Sequence, residues 1–102
     1  MPVSSNITNI TDNNALLTIT IDGKFDRSLL DDFRASYYNE DFDDIVIDMR
    51  NTDLVDSSAL GMLLNLRQYD DNMVNKIKII NCNTHVKRVF EIARFEKRFT
   101  IS

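Results

Sequence analysis

Residues 45–66 constrain the fold of this chain more than any other stretch. The segment opens with Ile45-Val46-Ile47-Asp48-Met49-Arg50, a run of β-branched residues with the composition of a buried strand. A polar connection, Asn51-Thr52-Asp53-Leu54-Val55, leads to Asp56-Ser57-Ser58 and then to an apolar, Leu-rich segment too long for a second strand. Asp and Ser just ahead of such a segment are helix N-cap residues, because their side-chain oxygens accept the free N–H groups of the first turn. The unit reads strand, loop, helix, with two hydroxyls at the positive end of the helix. A helix N-terminus favours anions, and a phosphate on one of those hydroxyls would be held by the same N–H groups.

The rest of the chain arranges itself around that unit. Residues 3–10 are polar, with Val3, Ile7 and Ile10 irregularly spaced, and read as a weak edge strand. Asp12-Asn13-Asn14 is a turn by composition. Leu17, Ile19 and Ile21 then alternate with Thr18 and Thr20, which predicts a half-buried strand over 15–21, paired with the first as a hairpin. Asp22-Gly23 ends it. Over 25–38 the period becomes helical: Leu29, Leu30, Phe33 and Tyr37 share one side, Arg27, Asp31, Asp32 and Arg34 the other, and Asp26 or Ser28 can cap. An acidic connection over 39–44 leads into the central strand. After the long helix, 76–80 is a further β-rich run, and 81–84 is a polar loop with a cap residue at its end. Val86, Val89, Phe90 and Ala93 recur at i, i+3, i+4 and i+7, a short amphipathic helix. Strand, strand, helix, strand, helix, strand, helix, strand predicts an α/β fold with a mixed sheet, and alternation alone leaves a small doubly wound fold open.

The helix beginning at Ser58 and running to about Asp71 has more apolar surface than one packing face needs. Ala59, Leu60, Leu63, Leu64 and Leu66 form one arc; Met62, Tyr69 and Met73 widen it; Gly61, Asn65, Gln68 and Asn72 fill the polar remainder. Two readings fit: the helix lies deep between the sheet and a neighbouring helix, or its Met62/Tyr69 edge is exposed and meets a partner.

Composition narrows the function. At 102 residues there is room for one domain, 1–102, with one ordinary core. A net charge of −4 argues against a nucleic-acid partner, which requires a basic face. One cysteine, Cys82, and one histidine, His85, exclude an internal disulfide and a Cys/His metal site, and Cys82 reads as a small buried thiol. With two glycines there is no phosphate-binding loop, and nothing marks a nucleophile with its base. Asp41, Asp43 and Asp44 read as a solvated acidic loop and not a metal site. No enzyme activity and no cofactor are expected. Residues 1–10 lack an apolar signal core and no stretch reaches membrane-spanning length, so the expectation is a cytoplasmic protein without a membrane partner.

Asp56-Ser57-Ser58-Ala59-Leu60-Gly61 after an apolar strand resembles the signature of STAS domains, the family of bacterial anti-sigma factor antagonists. Gly23-Lys24-Phe25-Asp26 and the tail Phe99-Thr100-Ile101 resemble further elements of that family, so the resemblance covers nearly the whole chain. It implies a mixed sheet of four to five strands with helices mainly on one face. It also implies that Ser57, directly after the aspartate, is phosphorylated by a partner kinase. Asp56 then either orients the Ser57 hydroxyl or is a plain cap, and Ser58 is a first-turn or alternative cap residue. Two positions depart from the family pattern: Ala59 and Arg94 stand where glycine is usual. Arg94 at a helix end implies either mild strain or a different helix ending.

The function implied is a phosphorylation-gated binding switch. Unmodified, the surface of Asp56, Ser57, Ser58, Met62, Asn65 and Tyr69 would dock onto an anti-sigma factor or switch-protein serine kinase and so release a sigma factor. A metal-dependent serine phosphatase would remove the mark. Two rivals remain open: a constitutive accessory subunit of a transport or signalling complex, and a small-ligand or nucleotide-binding module at the same helix end.

Overall fold

The computed structural model describes residues 2–69 and 77–102. β1 (Val3–Thr11) and β2 (Asn14–Ile21) form the expected antiparallel hairpin, with Val3 opposite Ile21 and Ile7 opposite Leu17. β4 (Asp44–Asp48), β6 (Ile77–Ile80) and β7 (Thr100–Ile101) extend it in parallel, giving one mixed sheet of five strands in the order β1-β2-β4-β6-β7. Parallel neighbours require crossovers. Here α1 (Leu30–Tyr37) follows β2, α2 (Ser57–Tyr69) follows β4, and α3 (Thr84–Ile92) follows β6.

The register explains why the helices cover one face. Leu17, Ile45 and Ile77 lie in one cross-strand row and Ile19, Ile47 and Ile79 in the next, and all six are buried. On the opposite face the row Thr18, Val46, Lys78 and Thr100 remains partly or fully exposed. Side chains of a strand alternate between faces, so one set of β-branched residues builds the core and the intervening set does not.

One element escapes period counting. β3 (Gly23–Phe25) and β5 (Thr52–Val55) pair in parallel as a separate two-stranded sheet. Phe25 therefore belongs to a strand, and the expected helix over 25–38 is corrected at its start. Gly23 turns the chain at a φ of 82°, and Phe25 is buried with its ring 5.1 Å from that of Phe33. Asp26 accepts the Ser28 N–H at 2.9 Å and caps a short 3-10 turn, Arg27–Leu29, before α1 begins at Leu30. The expected extension of the long helix to Asp71, its flanking Asn72 and Met73, and the Lys76 start of β6 lie outside the described residues.

From Phe90 in α3, the rings of Phe90, Phe95 and Phe99 stack at successive centroid distances of 5.6 and 5.2 Å, closing this end of the core. The chain reverses between them at Arg94, whose φ of 59° and ψ of 36° lie in the left-handed region. Mild strain is the alternative the structure selects. A side chain with a Cβ is disfavoured there by about 1–2 kcal/mol, partly offset by the extra freedom glycine has when unfolded. Arg94→Gly should raise stability by about 0.5–1 kcal/mol, read as a higher midpoint in urea at unchanged slope.

Candidate functional site

The site begins where β5 ends. The Asp56 N–H donates to the Phe25 carbonyl at 3.3 Å, tying it to the small parallel sheet. Its carboxylate oxygen Oδ1 accepts the Ala59 N–H at 3.0 Å, and its carbonyl accepts the Leu60 N–H at 3.2 Å. Those last two contacts define an N-cap. Asp56 alone does the capping, which corrects the reading of the serines as cap residues: Ser57 is the first helical residue and Ser58 the second. Ser57 is exposed and Ser58 half-buried, and both N–H groups precede the first i→i−4 bond of the helix.

Ser57 heads a stripe. Gly61, Asn65 and Tyr69 follow it at steps of four, on the same side of α2, and all four residues are exposed. At Gly61 a Cβ would meet nothing within 4 Å, so the middle of the stripe is bare backbone open to solvent. The opposite side is core: Ala59, Leu63 and Leu66 are fully buried, while Leu60 and Leu64 pack partly against it. Met62 is 4% exposed and belongs to that core, which corrects the expectation of an exposed Met62/Tyr69 edge. Of these two residues Tyr69, at 40%, is the open one.

Tyr69 is open but fixed. Its hydroxyl oxygen accepts the Asn39 N–H at 3.0 Å. Its ring lies 5.3 Å from Tyr37 and 5.7 Å from Tyr38, and the Arg34 guanidinium sits 5.0 Å over the Tyr38 ring. Burial pushes the Tyr37 phenol above its ordinary range, with Arg34 pulling weakly the other way. Between α1 and α2 this cluster walls a groove of about 370 Å³, with Leu30 and Arg34 on one side and Met62 and Asn65 on the other. A second depression, lined by Arg27, Ser58 and Gly61, shares Leu30, Met62 and Asn65 with the first. The groove thus runs from Ser58 to Tyr69.

The α1 side of the groove was missed from the sequence, including two of its exposed apolar residues. Leu30, counted with the core side of α1, is 40% exposed, and Tyr38, just past the helix, is 46% exposed. Adjacent tyrosines at a helix end were the available signal, because only one of two successive residues can face the core.

Other candidate residues have structural duties. The Asp43 carboxylate accepts the Ala15 N–H at 2.7 Å and the Thr52 hydroxyl, fully buried, donates to the Ile21 carbonyl at 2.7 Å. Asn83 caps α3 through the Val86 N–H and donates its side-chain amide to the Thr52 carbonyl. Burial pushes the Cys82 thiol up, away from the thiolate form. Among the described residues no group of three His, Cys, Asp or Glu side chains is placed to hold a metal, and no helix is long and apolar enough to cross a membrane.

Comparison with known proteins places the architecture. The family model of the STAS domain matches residues 5–102. A STAS-domain containing protein of Pseudomonas aeruginosa (strain UCBPP-PA14) is 41% identical over 88 residues, covering 84% of this chain and 87% of the relative. The solved structure of the anti-sigma factor antagonist SpoIIAA in its unphosphorylated form superposes with a TM-score of 0.73 at 16% identity, over 97% of this chain and 88% of that one. The phosphorylated form of the Bacillus cell fate determinant SpoIIAA gives 0.61 at 13% identity, over 97% and 91%.

Proposed function

We propose, from the premise that this chain belongs to the STAS-domain family, that it is an anti-sigma factor antagonist gated by phosphorylation of Ser57. The observation that carries this reading is the division of labour at the start of α2: Asp56 caps the helix, and the neighbouring Ser57 hydroxyl is exposed at the head of an accessible stripe. A serine needed for capping would be held inward; this one is presented. Unmodified, the stripe of Ser57, Gly61, Asn65 and Tyr69, with Asp56 and Ser58 at its head, docks onto an anti-sigma factor or switch-protein serine kinase in the cytoplasm. Met62, buried beneath the groove, supports this surface from the core and does not touch the partner. The kinase writes the phosphate and a metal-dependent serine phosphatase removes it; the protein itself binds and does not catalyse.

The test is phosphopeptide mapping and partner capture on wild type and Ser57→Ala. The major phosphopeptide should vanish in the variant while the partner is still captured. A phosphate mapped to Ser58 moves the switch by one residue; Thr52 would have to leave the core to be modified. Equal capture of modified and unmodified protein favours the constitutive accessory-subunit reading.

Gly61 separates folding from binding. Gly61→Ala should stabilise the domain by about 1 kcal/mol, since the added methyl meets nothing and glycine is a poor helix former. The same methyl stands on the docking stripe, so affinity for the partner should fall as the melting temperature rises. Unchanged affinity removes Gly61 from the interface.

A further inference from the structure

Away from Ser57, β1 forms one margin of the five-stranded sheet. Edge strands are ordinarily blunted by charge, proline or shortness, because their unpaired backbone invites another strand. β1 is nine residues long and reads Val3-Ser4-Ser5-Asn6-Ile7-Thr8-Asn9-Ile10-Thr11, with neither a charge nor a proline. Ile7 and Ile10 are 42% and 56% exposed. Its irregularity, a bulge between Asn9 and Thr11, leaves the run from Val3 to Asn9 regular.

Hydrogen-bond parity fixes which backbone groups are free. The Asp22 N–H donates to the Pro2 carbonyl at 2.8 Å, and the register continues with Ser4 opposite Thr20. In an antiparallel ladder bonded and non-bonded pairs alternate, so the even-numbered residues of β1 bond to β2. The far side of β2 agrees: the Ala15 carbonyl accepts the Asp43 N–H, so odd-numbered residues of β2 turn toward β4. Val3, Ser5, Ile7 and Asn9 therefore direct their N–H and C=O groups out of the sheet edge.

We propose that this edge pairs antiparallel with β1 of a second copy of the chain, about a two-fold axis at Ile7. Only odd against odd residues bring outward groups together, and centring on Ile7 overlaps the whole strand. Ile7 then faces its own copy, and Ser5 faces Asn9 in both directions. The strand is thus complementary to itself, as a two-fold interface requires, and the apolar Ile7 pair lies at the axis. Two molecules of net charge −4 meet through a segment that carries no charge. One strand pair buries less than the roughly 1,200–2,000 Å² of a stable complex, so the dimer dissociates on dilution.

Sedimentation equilibrium over a concentration series tests this, with Ser5→Pro and Ile7→Lys beside wild type. Proline at position 5 removes an outward N–H and no bond to β2, while lysine at 7 sets like charges face to face at the axis. Wild-type mass should rise from 11.8 kDa toward twice that value with concentration, and both variants should stay monomeric with cooperative melting. A wild type that stays monomeric at its highest soluble concentration overturns the proposal, as does a dimer that Ser5→Pro leaves intact. Should the variants not fold, amide exchange on wild type decides. Slowing at Ser5, Ile7 and Asn9 with rising concentration supports the dimer; concentration-independent exchange, or protection only with a different protein added, overturns it.

Discussion

Met62→Lys should unfold this domain at least as readily as Leu63→Ala. Met62 is 4% exposed, between the helices and under the groove, and Leu63 is fully buried beside it. Truncating a buried Leu or Met to Ala costs about 2–5 kcal/mol, from lost transfer energy and the cavity left behind. Lysine at position 62 keeps some volume but brings an ammonium into a pocket rimmed by Leu30 and the tyrosines, where its charge must be desolvated or its stem must snorkel out between α1 and α2. Domains of this size hold about 5–15 kcal/mol in all, so the loss is a large fraction of the total. At roughly 4–8 °C per kcal/mol for a domain of about this size, the melting temperature should fall by about 8 °C or more. The contrast is Asn65→Lys, one turn on and exposed, which should leave melting nearly unchanged. A Met62→Lys protein as stable as wild type would mean that the helices part easily and that the groove floor is available to a partner.

Phosphorylation of Ser57 should weaken partner binding by 100-fold or more. The phosphate adds about −1.5 to −2 charge at the head of the stripe, beside the carboxylate of Asp56. A like-charge or desolvated contact in an interface costs several kcal/mol, and about 2.7 kcal/mol is already 100-fold. Ser57→Glu carries less charge and fewer acceptors, so a partial loss of about tenfold is expected. The effect has a pH signature. The second phosphate ionisation lies near pH 6, so lowering the pH from about 7.5 to 5.5 should strengthen binding of the phosphoprotein while the Ser57→Ala protein changes little. Titration calorimetry at both pH values reads this directly. Equal affinities of modified and unmodified protein at pH 7.5 would remove the switch.

Much of this fold is legible in one sequence because burial has a period. Leu17, Ile19 and Ile21 alternate with threonines along β2, and Val86 and Phe90 recur along α3, so each element announces its buried side. β5, of four residues, and β3, of three, do not, because strands so short give no period to count, β3 least of all. Its sign is Phe25, an aromatic held in the core ahead of a helix it does not join. The site was legible as a motif and not as a geometry. Nothing local separates Asp56 from Ser57 as the cap; the choice depends on where β5 delivers the chain and on the bond from Asp56 to Phe25. The breadth of the apolar arc on α2 was equally ambiguous at Met62, because one helix cannot show how near its neighbour stands. α1 supplies the missing wall.

The fixed Tyr69 ring has a thermodynamic consequence. A side chain ordered only on association gives up rotamer freedom at that moment, about 0.5–1.5 kcal/mol for a mobile one. Tyr69 has surrendered it already, through the Asn39 amide and the flanking rings of Tyr37 and Tyr38. The far end of the stripe would therefore meet the proposed partner without an entropic penalty of its own. Asn39 reaches that bond from a φ of 61°, so the hairpin of chain after α1 acts as a splint for a residue thirty positions later. Loosening the splint by Tyr69→Phe removes the acceptor of the Asn39 N–H and keeps both the ring and the turn; it should cost affinity, with the loss appearing in the binding entropy.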